Sequence, residues 1–223
     1  MKNLTNARLL NRVVATRDGI LISYHEATSQ GVLVGIAQTW KLESNGDPVA
    51  LSEPRLLDYW SHIVPTVNGL VLFYNYSFTG KAATGLITPD GAFRDLKGFT
   101  GFDPWTHIVS TSDGILLFYH TQTGAAATGK IVDAEGNYAD LQNVTLDRGW
   151  HQIVPTTNGL LLFYRFGPGF DPAPEAVVGR INPSTGVYGD VSLVNGLETW
   201  VKIVCVRALN RRRRIPKKSR RKA

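Results

Sequence analysis

Apolar and polar positions along this chain fall into one pattern that returns about every 45 residues. Tryptophan opens each copy at Trp60, Trp105, Trp150 and Trp200, and Leu10 holds the same place in the first copy. After each comes a short alternating run, 61–66, 106–111 and 151–156, with 11–16 as a weaker first version. Alternation of this length predicts a strand, here strand A. Asp18-Gly19, Asn68-Gly69, Asp113-Gly114 and Asn158-Gly159 follow. These pairs tolerate positive φ and predict type I′ hairpin turns.

The next run, strand B, is the most apolar: 20–24, 69–74, 115–119 and 160–164. It is apolar on both faces, which describes a strand covered on both sides. Strand C is marked by Thr84-Gly85-Leu86-Ile87, Thr128-Gly129-Lys130-Ile131 and Val178-Gly179-Arg180-Ile181. Asp90-Gly91, Glu135-Gly136 and Thr185-Gly186 then lead into strand D at 93–96, 138–141 and 188–191.

Four short strands per unit, Gly-rich turns and no helical period predict an all-β protein, a β-propeller of four-stranded blades. A solenoid fits less well, since its coils are shorter and lack two successive tight turns. A β-sandwich would not repeat its sequence so closely.

The ends extend this reading. Residues 3–5 match 143–145, so the chain starts within or just after a D strand, and Trp200-Val201-Lys202-Ile203-Val204 repeats strand A. The expectation is four complete repeats plus an incomplete fifth blade built from the two chain ends, with the propeller spanning 1–206 and repeats starting near 10, 60, 105, 150 and 200. The pattern breaks at Cys205, and 207–223 reads as a basic, disordered tail.

Charge changes the picture only through that tail. The formal net charge is +6, yet nine of the 24 basic residues lie within 211–223; the remainder carries 15 basic against 18 acidic residues. Polyanion or anionic-membrane binding by counterion release, or a nuclear-localisation-like patch, would rest on this segment alone; the alternative is a solvated or artefactual end. No specific nucleic-acid binding is expected of the body. One cysteine excludes an internal disulfide framework and a Cys-based zinc site, and the five histidines lack paired spacing, so neither metal nor cofactor is expected. No signal peptide or membrane-spanning run is visible, which leaves the compartment open.

With Trp-x-x-Ile-Val, Asn-Gly-Leu-Leu-Phe-Tyr and Gly-x-Tyr-x-Asp-Leu in register, the repeat resembles those of tachylectin-type β-propeller lectins over roughly residues 1–204. The resemblance implies five blades and N-acetylated sugars bound in small pockets between neighbouring blades.

Several repeated residues are candidates for such a site. Trp60, Trp105, Trp150 and Trp200 have flat faces suited to stacking on a sugar ring, or else fill the wedge between blades. Asp58, Asp103 and Asp147, with Glu198, precede the tryptophans and suit hydroxyl hydrogen bonds or turn capping. Two residues after each Trp (or Leu10) stand Arg12, His62, His107, Gln152 and Lys202, read as donors or as a solvated strand face. Asp95, Asp140 and Asp190 in strand D read as protection of a sheet edge. Beyond the strand-B tyrosines, His25, Asn75, His120 and Arg165 vary, as ligand-choosing loop residues do, and 166–172 is an insertion.

Glycosidase-type chemistry needs an unequal pair of carboxylates at one cleft; here the acids recur with the repeat, and no nucleophile-elbow or phosphate-loop motif appears. The expectation is a non-catalytic, lectin-like propeller with repeated weak carbohydrate sites whose partners are glycans or glycoproteins. Its alternative is a protein-interaction or accessory domain of a larger protein, with a protein partner. The chain is expected as a monomer, or as an oligomer that completes the fifth blade.

Overall fold

Each apolar run becomes the second strand of an antiparallel sheet, because only a strand flanked by others in its sheet and covered on both faces buries such a sequence completely. In the computed structural model, residues 12–76, 80–166 and 174–194 are described. Blade 1 comprises β1 (Arg12–Ala15), β2 (Ile20–Ser29), β3 (Val32–Leu42), β4 (Pro48–Ala50) and β5 (Arg55–Asp58). Blade 2 has β6 (His62–Pro65), β7 (Leu70–Asn75), β8 (Lys81–Ile87) and β9 (Phe93–Phe99). Blade 3 has β10 (His107–Ser110), β11 (Ile115–Tyr119), β12 (Ala125–Ile131) and β13 (Tyr138–Thr145). Blade 4 has β14 (Gln152–Pro155), β15 (Leu160–Arg165), β16 (Glu175–Ile181) and β17 (Tyr188–Val194).

In blades 2 to 4 the strands pair in chain order, and the first strands of successive blades, β1, β6, β10 and β14, are neighbours. The protein is a β-propeller of four-stranded blades. The expected fifth blade, Trp200 and the basic tail fall outside the described residues.

Two local features differ from the sequence pattern. Blade 1 splits its last strand: β3 pairs with β4 at one end and with β5 at the other. The expected type I′ turn appears in blade 2, where Asn68 and Gly69 both have positive φ and the Leu70 N–H donates to the Val67 carbonyl. In blades 1 and 3 only the glycine does so, and the bonds run from Gly19 to Thr16 and from Gly114 to Thr111. That is a type I turn followed by a left-handed glycine, a loop one residue longer.

Glycine at the bulge of strand C has a packing reason. A Cβ on Gly129 would lie 2.1 Å from the Tyr138 hydroxyl, and one on Gly179 would lie 2.3 Å from Tyr188. The strand-D ring lies flat over the glycine. Blade 1 inverts the arrangement: Trp40 pairs with Leu21 where Gly85 pairs with Val71, and Pro48 stands at the place of Phe93. The aromatic bulk comes from strand C instead of strand D, and the Trp40 indole N–H donates to Ser23 Oγ at 2.8 Å.

The core lies between blades rather than within them. One cluster joins Tyr24 and Ile22 of blade 1 to Trp60 and Phe73 of blade 2. A second joins Tyr74 and Leu72 to Trp105 and Phe118, and a third joins Tyr119 and Leu117 to Trp150 and Phe163. Each fully buried aromatic or aliphatic side chain contributes about 1.5–3 kcal/mol, so every blade depends on its neighbours. Across the ring, Arg17 of the first turn of blade 1 donates to the carbonyls of Thr111 and Ser112 of blade 3.

Candidate functional site

Three polar straps recur at the seams and account for most of the repeated polar residues. The first uses the strand-B tyrosine. Tyr74 donates its hydroxyl to the Asp103 carbonyl at 2.6 Å and accepts the Trp105 N–H at 2.9 Å. Tyr119 does the same with Asp147 at 2.8 Å and Trp150 at 3.2 Å, and Tyr24 with Asp58 at 3.4 Å and Trp60 at 2.7 Å. Burial pushes all three phenols upward, partly opposed by the tryptophan N–H.

The second strap runs along strand A. Arg12 donates to the Ser61 carbonyl, His62 Nε2–H to the Thr106 carbonyl at 3.2 Å, and His107 Nε2–H to the His151 carbonyl at 3.0 Å. A carbonyl only accepts, which places the proton on Nε2. The third strap runs from strand C to the next C–D turn: Thr39 to Gly91 at 2.7 Å, Thr84 to Gly136 at 2.8 Å and Thr128 to Gly186 at 2.9 Å. Among the described residues no buried side-chain nitrogen or oxygen lacks a partner.

The sequence candidates therefore take these places. Trp60, Trp105 and Trp150 are 5%, 7% and 4% exposed, packed 5.7–5.9 Å from Phe73, Phe118 and Phe163. At this burial the indoles chiefly fill the wedge between blades. His62 and His107 hold seams and are not a solvated face. Asn75 donates to the Tyr59 carbonyl at 3.0 Å, and His120 Nδ1 accepts the Thr123 N–H at 3.3 Å. Asp58, Asp103 and Asp147 give their carbonyls to the tyrosines, while their carboxylates point outward: Asp58 meets Lys81 at 2.6 Å and Asp147 meets Arg165 at 3.4 Å.

Two clefts open on the outer side of the seams. The cleft between blades 1 and 2 has a volume of about 600 Å³ and is floored by Leu57, Trp60, Phe73 and Phe93. Two cations close over its rings. Arg55 lies 4.7 Å from the Phe93 centroid and pairs with Asp95; Lys81 lies 5.7 Å from Trp60 and pairs with Asp58. The cleft between blades 2 and 3, about 480 Å³, is lined by Phe99, Phe102, Trp105, Tyr138, Asp103 and Asp140 among others. Phe99 and Thr100 line both, so the clefts adjoin across β9.

Arg55 and Lys81 escaped the sequence reading because they are not repeated, and the comparison of copies rewards identity; Phe93 and Tyr138 stood in the reading as strand D, with no sign that they wall a cleft. The strand-C threonines had a signal, the recurring Thr-Gly, but it marks a strand and carries no sign of the turn it bonds. Among the described residues no group of three His, Cys, Asp or Glu is arranged to hold a metal ion, and no helix is long and apolar enough to cross a membrane.

No family model and no curated protein matches the chain. It is similar in structure to a protein from Lactobacillus plantarum, with 14% identity and a TM-score of 0.55, over 83% of this chain and 55% of that one. A putative 6-phosphogluconolactonase from Bacteroides fragilis gives 11% identity and a TM-score of 0.48 over 82% and 70%. An oligogalacturonate lyase in complex with manganese gives 14% and 0.46 over 81% and 52%. At these identities the likeness concerns the fold alone. The carbohydrate-binding function implied by the lectin resemblance is corrected: the tryptophans meant to stack on sugars are buried in the seams, inside the clusters that join neighbouring blades.

Proposed function

We propose that this propeller is a protein-recognition module that takes an extended segment of a partner across β9, with side chains entering the two adjoining clefts. The observation that supports this reading is the shared wall: Phe99 and Thr100 border both clefts, whose linings differ in charge. An extended chain places alternate side chains about 7 Å apart on one face, a spacing suited to neighbouring pockets. Repetition supplies the scaffold, and the non-repeated residues Arg55, Leu56, Lys81 and Thr100 supply the choice of partner. In this reading the tachylectin-type resemblance describes the repeat as a scaffold.

Leu56 supports it further. It borders the first cleft and is 59% exposed, an apolar side chain held out where a partner would cover it. The test is selection of displayed peptides on the full chain, followed by binding measurements with Leu56→Asp and Thr100→Asp. The expected result is a family of related extended sequences whose affinity falls at least about tenfold in each variant, as loss of a binding anchor does. Selection of no sequence family, or a family indifferent to both variants, overturns the reading.

A further inference from the structure

The seams differ in the cations that the described residues bring to them. In the first cleft two rings each have a cation and a carboxylate. Arg55 lies over Phe93 and pairs with Asp95, and Lys81 lies over Trp60 and pairs with Asp58. Between blades 3 and 4 one such set recurs, with Arg165 4.5 Å from the Trp150 centroid and bonded to Asp147 and Glu175.

The second cleft keeps the rings and the acids. Tyr138 and Asp140 occupy the register positions of Phe93 and Asp95, pairing with Ile131 and Gly129 as those pair with Ile87 and Gly85. Trp105 and Asp103 occupy those of Trp60 and Asp58, held by Tyr74 as the others are held by Tyr24. Both cations are replaced: Thr100 stands 45 residues after Arg55, and Ala125 opens β12 as Lys81 opens β8. Asp140 accepts the Tyr138 hydroxyl at 2.9 Å on one oxygen, which leaves its charge uncompensated. Among the described residues no ion pair is formed by Asp103 or Asp140, and no Lys or Arg lines this cleft.

Aromatic faces beside fixed carboxylates attract a weakly hydrated organic cation, through the ring quadrupole and the direct charge together. Phe102 and Tyr138, with centroids 5.1 Å apart and planes at 52°, form two walls of such a corner, and Phe99 completes it at 6.4 and 6.2 Å. We infer that the cleft between blades 2 and 3 binds an alkylammonium group supplied from outside the blade, in the place that Arg55 and Lys81 fill in the first cleft. Resting on the protein-recognition reading, it assigns a lysine or methylated lysine of the partner to this cleft; a free alkylammonium carries the same chemistry.

The probes are tetramethylammonium chloride, its neutral isostere 3,3-dimethylbutanol, and N-acetyl-trimethyllysine methylamide, titrated into the ¹⁵N-labelled full chain at constant ionic strength. Saturable amide shifts are expected at Thr100, Gly101, Phe102 and 140–143 with both cations, and none with the alcohol. Tighter binding of the lysine derivative marks a peptide source, and equal binding a free ammonium. Asp103→Asn is expected to weaken binding about fivefold, the share of one nearby charge. Ala125→Lys, which copies Lys81 at an exposed position, is expected to abolish binding while leaving the fold unchanged. Shifts equal for alcohol and cation, shifts elsewhere, or binding unchanged in Ala125→Lys overturn the inference. Peptide selection with no ammonium binding sinks this assignment alone; ammonium binding with no selected peptide sinks the recognition reading instead.

Discussion

The Tyr74 hydroxyl donates to the backbone carbonyl of Asp103 at 2.6 Å, from the middle of blade 2 to the loop that opens blade 3. Because the same oxygen accepts the Trp105 N–H, one buried phenol fixes both the loop and the start of the next blade. Tyr74→Phe keeps the ring and leaves the Trp105 N–H and the Asp103 carbonyl only their bond to each other, and is expected to lower stability by about 1–2 kcal/mol. Tyr138→Phe removes a hydroxyl bonded only to the exposed Asp140 carboxylate, at a position where blade 2 already uses Phe93, and is expected to cost under about 0.5 kcal/mol. Urea midpoints of the two variants check the contrast.

The threonine strap makes a second prediction. Thr84→Val retains shape but leaves the Gly136 carbonyl without its donor, and is expected to lose about 1–2 kcal/mol. Thr84→Ser keeps the donor and is expected to recover most of that loss. Equal losses in the two variants would assign Thr84 to packing alone.

Gly129 is predicted to be coupled to Tyr138. Gly129→Ala sets a Cβ where the phenol lies and is expected to cost about 1–3 kcal/mol. With Tyr138→Ala in the same chain the alanine has space, so the double variant is expected to be at least about 1 kcal/mol more stable than the sum of the two single losses. A double-mutant cycle in urea measures this coupling.

Acidification tests the histidine strap. Burial pushes His62 from 6.5 down to about 4, against the pull of the Thr106 carbonyl and with the help of the Arg12 and His107 charges. His107 is lowered as well, chiefly by burial. The unfolded chain therefore takes up these protons first, and stability present above pH 6.5 is lost progressively as pH falls toward 4. Between pH 7.5 and 5, His62 alone is expected to account for about 2 kcal/mol. His62→Gln puts at this position the residue that the fourth repeat carries there, Gln152, and is expected to flatten the profile. A variant profile as steep as the parent's would remove His62 from the account.

Much of the architecture is legible in the order of residues. A strand carries its period in sequence, and a turn its Asp-Gly or Asn-Gly, because both depend on contacts between near neighbours. The tryptophan register marks where each copy begins, and the doubly apolar 115–119 announces the most buried strand of its blade. Blade 1 was the least legible: it moves its aromatic from strand D to Trp40 and splits its last strand, so it matches the other copies in shape more than in letters.

The seams could not be read this way. Tyr74 and Asp103 are 29 residues apart, Thr84 and Gly136 52, and Arg55 and Asp95 40. Which of their atoms meet depends on how one blade stacks on the next, an angle set by the whole core between them. The residue types showed that polar groups recur beside the tryptophans. Only the tertiary structure decided that the backbone carbonyls of the aspartates, rather than their carboxylates, serve the seams, and that the rings lie inward. The same stacking set Arg55 and Lys81 over the first cleft and, among the described residues, left the acids of the second without an ion pair. A carboxylate and its counter-charge need only spatial proximity, and the ring of blades supplies that proximity between residues far apart in the chain.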